Sequence, residues 1–388
     1  MTIQNLKFEQ ITDPEEIKLT HVHNGDTWKG TLDLGGYVER EHLLGTTGIA
    51  KKQEQIEVQR KYPELASWLG IRYFALKQDD RIVSSCETLT RLGYYISSSS
   101  HSGIDTNLVV CLGAVFTPAK YRGKGYASSL LQKLLQFYDN ARDTPDAPPG
   151  VKQMVLTLYS EVGEYYKQFG FHSVHVPVHR ITQVDAFLKY YCKDYAEMPG
   201  EPLDEKSYNE LVRLQNEGFR EHMWLQHKSH PHSYIFTVKS DADIYAWFNA
   251  RDKFILQKTH QATPEVLKFG FVLNDKSHVL WHHSWGESTL ILVKIYIHPH
   301  SLSKESDIVK ELFAHAVMET KSTGLKRIEF WDEDIPIKKF PILFKALSDL
   351  EHDSMVYAEN HSLSAVRPPP QFNIDDVIWD NNGKYCWF

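Results

Sequence analysis

The chain has 388 residues, with 43 Lys and Arg against 50 Asp and Glu, a formal net charge of −7 and 42% hydrophobic residues. That length exceeds one ordinary domain and points to two. The acidic balance and the lack of a dense Lys/Arg block leave no basic footprint for nucleic acid, and no apolar run approaches membrane-spanning length.

The segment Met1–Lys7 has no signal-peptide core, and Cys86, Cys111, Cys192 and Cys386 are too scattered for a paired framework. A protein of a reduced, cytoplasmic compartment, with nuclear access open, is therefore expected. Leu6 to Ile11 reads as a first strand. Asp13-Pro14 then opens a helix through Thr20, with Glu15 and Glu16 in the turn where the helix dipole favours acids. A second helix is expected from Gly36 to Leu44, with Tyr37, Val38, Glu41 and Leu44 at amphipathic spacing. Gly70–Lys77 and Arg81–Leu89 read as strands joined by the turn Asp79-Asp80. The polar loop Ser97–Ser100 with Gly103 leads into a fourth strand, Asn107–Thr117.

After that strand comes Arg122-Gly123-Lys124-Gly125-Tyr126-Ala127, then an amphipathic helix from Ser128 to Tyr138. A strand, a glycine-rich turn and a helix start make an anion cradle: glycines let a ligand approach the backbone, and the helix N-terminus offers free N–H groups. Gly123-Lys124 is not followed by Ser or Thr, so a P-loop is excluded, and the third glycine of a dinucleotide fingerprint is missing. The spacing Arg122-x-x-Gly125-x-Ala127 resembles the acetyl-CoA pyrophosphate signature of the GNAT N-acyltransferases. The strand Val155–Tyr159 and the segment Glu161–Phe171 follow. There Tyr166, Gly170 and Phe171 match the Tyr-x-x-x-Gly-Phe ending that the family places next, before a further strand, His172–Val178.

The second half, after a boundary near Glu197–Pro202, has a helix from Ser207 to Glu221 and a histidine-rich stretch, Glu221–His232, whose spacing fits no structural metal site. A hairpin (Gly270–Asn274, Val279–His283), a strand (Thr289–His298), a helix (Lys304–Thr320) and a strand (Lys326–Phe330) repeat the order of the first half. The junction Ile297–Ser303 lacks a glycine cradle. The expectation is an α/β (α+β) GNAT fold: a mixed central sheet flanked by helices in a catalytic domain, 1–200, joined to a second, degenerate GNAT-like lobe, 201–388, that binds no cofactor.

The opening Ile11–Ile17, the stretch Trp28…Glu41, the fused second lobe and the aromatic C-terminal residues resemble the fungal lysine N-acetyltransferases of lysine catabolism. That resemblance implies transfer of acetyl from acetyl-CoA, with no metal, to the ε-amine of free L-lysine. A protein or peptide lysine acetyltransferase and an acyl-CoA-binding regulator remain as alternatives; the acceptor and the oligomeric state stay open. The resemblance implies that Val115, Phe116, Thr117, Arg122, Gly123, Lys124, Gly125, Tyr126, Ala127 and Ser128 bind the cofactor. It also implies that Tyr166 protonates the departing thiolate. An amine near pKa ~10.4 must lose a proton before it attacks. Strand four carries no acid for this between Asn107 and Thr117, leaving Glu87 and Glu161 as candidate bases. Glu39, Arg40, Glu41 and Arg91 are candidates to bind a zwitterionic acceptor. The N-myristoyltransferases, also tandem GNAT folds, resemble this layout and use a terminal carboxylate as base, which by analogy offers Phe388 a catalytic role.

Overall fold

The computed structural model describes residues 5–98, 100, 103–203, 205–260 and 267–388. Ser99, His101 and Ser102 of the expected polar loop lie outside the described residues.

Among the described residues, fifteen strands form two sheets. They are β1 (Leu6–Ile11), β2 (Gly70–Gln78), β3 (Arg81–Ile96), β4 (Asp105–Phe116), β5 (Val155–Ser160), β6 (His172–Ser173), β7 (Val178–Ile181), β8 (Gly200–Pro202), β9 (Tyr234–Val238), β10 (Gly270–Leu273), β11 (His278–Ser284), β12 (Thr289–Tyr296), β13 (Arg327–Trp331), β14 (Leu363–Arg367) and β15 (Val377–Trp379). The first sheet runs β1-β2-β3-β4-β5-β14-β6, with β9 joined to β3 and β15 to β9. The second runs β7-β13-β12-β11-β10-β8. This is the expected mixed α/β architecture with two GNAT-like lobes, and β12 lies parallel to β13 as β4 lies parallel to β5.

The apolar run in β4 is continuous because both of its faces are buried. Leu108, Val110 and Leu112 pack under the helix Tyr126–Asp143, whose Leu130, Leu131, Leu134 and Tyr138 form its inner stripe. Val109 and Cys111 face the other way, into a layer shared with Leu280, Val293 and Trp331 of the second sheet. The second sheet buries its far face against the helices Glu305–Ser322 and Pro341–Leu350.

Local signals set the helix starts. The Asp13 carboxylate accepts from the Glu15 N–H at 2.8 Å, and Asp33 caps Gly36 N at 2.6 Å. The first helix runs past the expected Thr20 to Trp28. The expected strand His172–Val178 is two: β6 stays in the first sheet, and after Pro177, which has no N–H for a ladder, β7 begins the edge of the second.

A division at residue 200/201 does not separate these sheets. β7 precedes it yet belongs to the second sheet, while β9, β14 and β15 follow it and complete the first. β14 pairs with β5 over five residues, from Leu363 opposite Ser160 to Arg367 opposite Leu156. The two lobes are interleaved rather than consecutive.

The last residues run back between the sheets. Tyr385 and Cys386 are fully buried, and the Tyr385 hydroxyl donates to Val238 O at 2.9 Å. Arg91 on β3, 3% exposed, donates to Tyr385 O at 2.7 Å and to Lys239 O at 3.1 Å. The expected substrate role for Arg91 is therefore corrected: its guanidinium is spent on two backbone carbonyls and clamps the C-terminal segment to β3. Arg91→Met should lower the stability measured by urea unfolding by about 2 kcal/mol, since two carbonyls would lose a charged donor.

Candidate active site

Parallel pairing of β4 with β5 runs from Val109 opposite Val155 to Leu112 opposite Leu158 and stops there. Beyond it β4 turns aside. Ala114 takes a left-handed φ of 47°, and the register against β3 slips between Ser85 and Glu87. The two strands part, leaving the backbone of Gly113, Ala114 and Val115 facing an opening instead of a neighbouring strand.

On one side of the splay is the glycine turn. Gly123 and Gly125 have φ of 72° and 79°, and a Cβ built on either meets nothing within 4 Å. Gly125 is the N-cap of the helix Tyr126–Asp143, whose first backbone bond is Ser129 N–H to Gly125 O at 3.0 Å. The N–H groups before Ser129 are thus the helix's orphan donors, gathered on an exposed turn. Arg122 lies over the Phe116 ring and donates from Nε to Thr117 O at 3.0 Å, so strand end and turn are tied together. Lys124 sits beside the Tyr121 ring. Ala127 and Ser128 open the helix, with Ser128 Oγ 3.3 Å from Tyr165 Oη. The Tyr126 side chain is an exception to the expected cofactor set. It is buried in the core and bonded to Gln78, which leaves only its backbone to face a ligand. An open cradle of this kind fits a pyrophosphate held by main-chain donors.

On the other side is a cavity of about 710 Å³ lying between the sheets. That is the size range of small-molecule sites. Tyr166 and Glu161 line it after β5, and Glu87 lines it from β3, where it stands opposite Gly113 at the splay. Burial pushes the Tyr166 phenol well above its ordinary range, keeping it protonated. Glu87 has His21 as neighbour at 3.9 Å. Glu161 accepts from Trp28 Nε1 at 3.4 Å.

The helix Leu34–Leu44 contributes Tyr37, Arg40 and Glu41, with Arg40 Nε donating to Glu41 at 2.7 Å. Glu39 is not in the cavity. It sits on the opposite face of that helix, pairs with Lys258 at 2.5 Å and is 60% exposed, which corrects its expected substrate role. The Phe388 ring lines the cavity and packs on Gly113; a Cβ there would meet its Cζ at 3.0 Å.

Several cavity residues escaped the sequence reading because they arrive from the second sheet and from stretches far along the chain. Arg180 and Glu329 pair at 2.7 Å on β7 and β13. Trp247 and Arg251 come from the helix Ala242–His260. His282 stacks on Phe248 with centroids 4.9 Å apart, backed by Asp252 at 3.6 Å, and burial lowers it to about 4, so its imidazole is neutral. The adjacent histidines 282 and 283 in an apolar strand were the one signal that could have marked it. Lys384, 7% exposed, lies 3.5 Å over the Trp387 ring. Burial first, then Arg251, lower its ammonium to about 7.

Among the described residues no group of three or more His, Cys, Asp or Glu is arranged to hold a metal ion, and no helix is long and apolar enough to cross a membrane. His222 of the histidine-rich stretch instead bonds Asp380 at 2.6 Å.

The fold is that of the GNAT superfamily. A GCN5-related N-acetyltransferase from Anabaena variabilis superposes with a TM-score of 0.50 at 11% identity, over 93% of this chain and 72% of that one. Residues 193–388 match the family model described as the LYC1 GNAT-like C-terminal domain. A Saccharomyces cerevisiae relative, the uncharacterized protein YGR111W, is 44% identical over 392 residues, covering 99% of this chain and 98% of its own. A lysine acetyltransferase of Yarrowia lipolytica is 24% identical over 362 residues, 85% of each chain. The chain belongs to the LYC1 GNAT-like family and is an acetyltransferase of the GNAT type.

Two measurements test this geometry. Gly125→Val should weaken acetyl-CoA binding severely by calorimetry, with a stability loss of only about 1–2 kcal/mol from the left-handed backbone. Lys384 holds its proton less well folded than unfolded, so between about 7 and the ordinary 10.5 the unfolded chain binds more protons and stability rises with pH. Lys384→Met should flatten that rise when unfolding midpoints at pH 7 and 9 are compared.

Proposed function

We propose that the chain transfers the acetyl group of acetyl-CoA to the ε-amine of free L-lysine. The observation that carries this reading is the cavity between the sheets. It is small-molecule sized, opens on the β4–β5 splay and carries carboxylates and cations together. The name of the Yarrowia lipolytica relative supports the choice of lysine.

Acetyl-CoA supplies a thioester that an unprotonated amine attacks. The exposed turn Arg122–Ser128 is suited to its pyrophosphate through main-chain N–H groups, with Arg122 and Lys124 adding positive charge. The backbone beyond Leu112 in β4, freed from β5, is suited to the acyl oxygen as negative charge builds on it. Glu87, opposite Gly113, takes the proton of the incoming ammonium, and Tyr166, held protonated by burial, gives one to the sulfur. Glu41 and Arg40 lie on the acceptor side.

Following thiol release with acetyl-CoA against a panel of free amino acids, polyamines and lysine peptides tests the acceptor. Turnover with L-lysine is expected; turnover with peptides alone would establish a protein acetyltransferase, and binding without turnover a sensor. Glu87→Gln should lower kcat by about 10²–10⁴-fold and Tyr166→Phe by about 10²-fold, with acetyl-CoA affinity retained in both. Extending the chain by one alanine after Phe388 separates its carboxylate from Glu87 and Glu161 as the base. Full activity in that variant with loss only in Glu87→Gln and not in Glu161→Gln leaves the role with Glu87, whereas a loss in the extended variant matching that of Glu87→Gln transfers it to the Phe388 carboxylate.

A further inference from the structure

The charges lining the cavity do not balance locally. Most of its ions are already matched. Glu329 holds Arg180 at 2.7 Å, and Glu41 holds Arg40 at 2.7 Å. Glu287 lies 3.9 Å from Arg327, which stands outside the cavity lining, and the nearby Asp252 carboxylate, also outside it, accepts the backbone N–H of His283. Glu87 and Glu161, at the splay, have only His21 and Trp28 as partners among the described residues, and away from them two cations are likewise without a counter-charge. Among the described residues no carboxylate comes within ion-pair distance of the Arg251 guanidinium or the Lys384 ammonium. Their close partners are rings: Arg251 stands 5.7 Å over Trp247, and Lys384 lies over Trp387 and 5.9 Å from Phe248.

Two like charges sharing a desolvated wall repel, and Arg251 disfavours the protonation of Lys384. Such an arrangement is costly unless an anion completes it. Aromatic faces stabilise cations only in part and leave the donor N–H groups unused. The arrangement also has a direction. The Phe388 ring packs on Gly113 at the splay, stands 6.5 Å from Trp247, and Trp247 in turn carries Arg251. The Phe388 and Trp247 rings therefore stand in a row between Gly113 at the splay and the Arg251 guanidinium.

We propose that Arg251 and Lys384 form a carboxylate subsite, which selects acceptors bearing an amine at one end of a methylene chain and a carboxylate at the other. This rests on the amine-acetylation reading above and adds how the acceptor is oriented. A carboxylate bonded by the guanidinium and the ammonium neutralises both, and the chain between the two ends directs the amine at the β4–β5 opening. A diamine lacking the carboxylate leaves the cation pair uncompensated and is a poor acceptor for that reason.

The test compares L-lysine with L-lysinamide and 1,5-diaminopentane, using calorimetry for affinity and thiol release for kcat/KM. L-Norleucine and its amide serve as probes that carry no distal amine. The wild-type protein should prefer L-lysine to both analogues, and norleucine to norleucinamide, by about 10- to 100-fold. In Arg251→Gln that ratio should collapse towards one, with Lys384→Met lowering it partway. A wild-type ratio near one, or a ratio retained in Arg251→Gln, overturns the subsite. Norleucine bound in an Arg251-dependent way with no acetylation of lysine keeps the subsite and removes lysine as acceptor. Failure of every carboxylate to bind overturns the subsite outright.

Discussion

The site hangs on one buried cation. Arg91 has two backbone carbonyls as partners, one in the C-terminal segment and one just past β9. Around it the segment is fixed by Tyr385 bonding Val238 O, by Asn382 bonding Ser364 and by Trp387 stacking on Tyr159 at 5.4 Å. The segment lies within the apolar layer that joins the two sheets. In doing so it brings Lys384, Trp387 and Phe388 to the cavity wall. The cavity is what remains between a splayed first sheet and this inserted strip.

The interior of that cavity is polar, and its chemistry follows from which groups have partners. Paired ions such as Arg180 with Glu329 are largely neutral to an incoming ligand, since each has already found its counter-charge. Groups without such partners respond strongly, because the surrounding apolar side chains screen little. Burial has opposite consequences for different residues. It keeps the Tyr166 phenol protonated and so able to donate, while it strips charge from the His282 imidazole and weakens the hold of Lys384 on its proton. One physical cause thus prepares a proton donor, a neutral ring and a labile ammonium within a single chamber.

What the sequence made legible was the local part. Arg122 through Ala127 and the Tyr166–Phe171 segment are contiguous runs whose backbone needs, positive φ at Gly123, Gly125 and Gly170, are written in the residues themselves. Glu41 and Glu39 show the limit of such reading. They are two positions apart on one helix, so one faces the cavity with Tyr37 and Leu44 while the other faces Lys258 in solvent. Arg91 shares a strand face with Glu87, but nothing in β3 reveals that a segment almost three hundred residues later covers it (|i−j|=294). Arg251, His282 and Lys384 carry no motif at all. Their role arises from three separate stretches converging in space, which neither periodicity nor spacing encodes.

The interleaving of the sheets has a consequence for how the molecule comes into being. β5, the strand beside the cofactor turn, stays an open edge until β14 arrives some two hundred residues later (Leu363 opposite Ser160). During synthesis the half that carries the glycine turn therefore waits, with unpaired backbone N–H and C=O groups exposed, for the half that does not. Evolution cannot readily trade this half as a cassette, and a gene fusion that borrowed it would inherit an unfinished sheet.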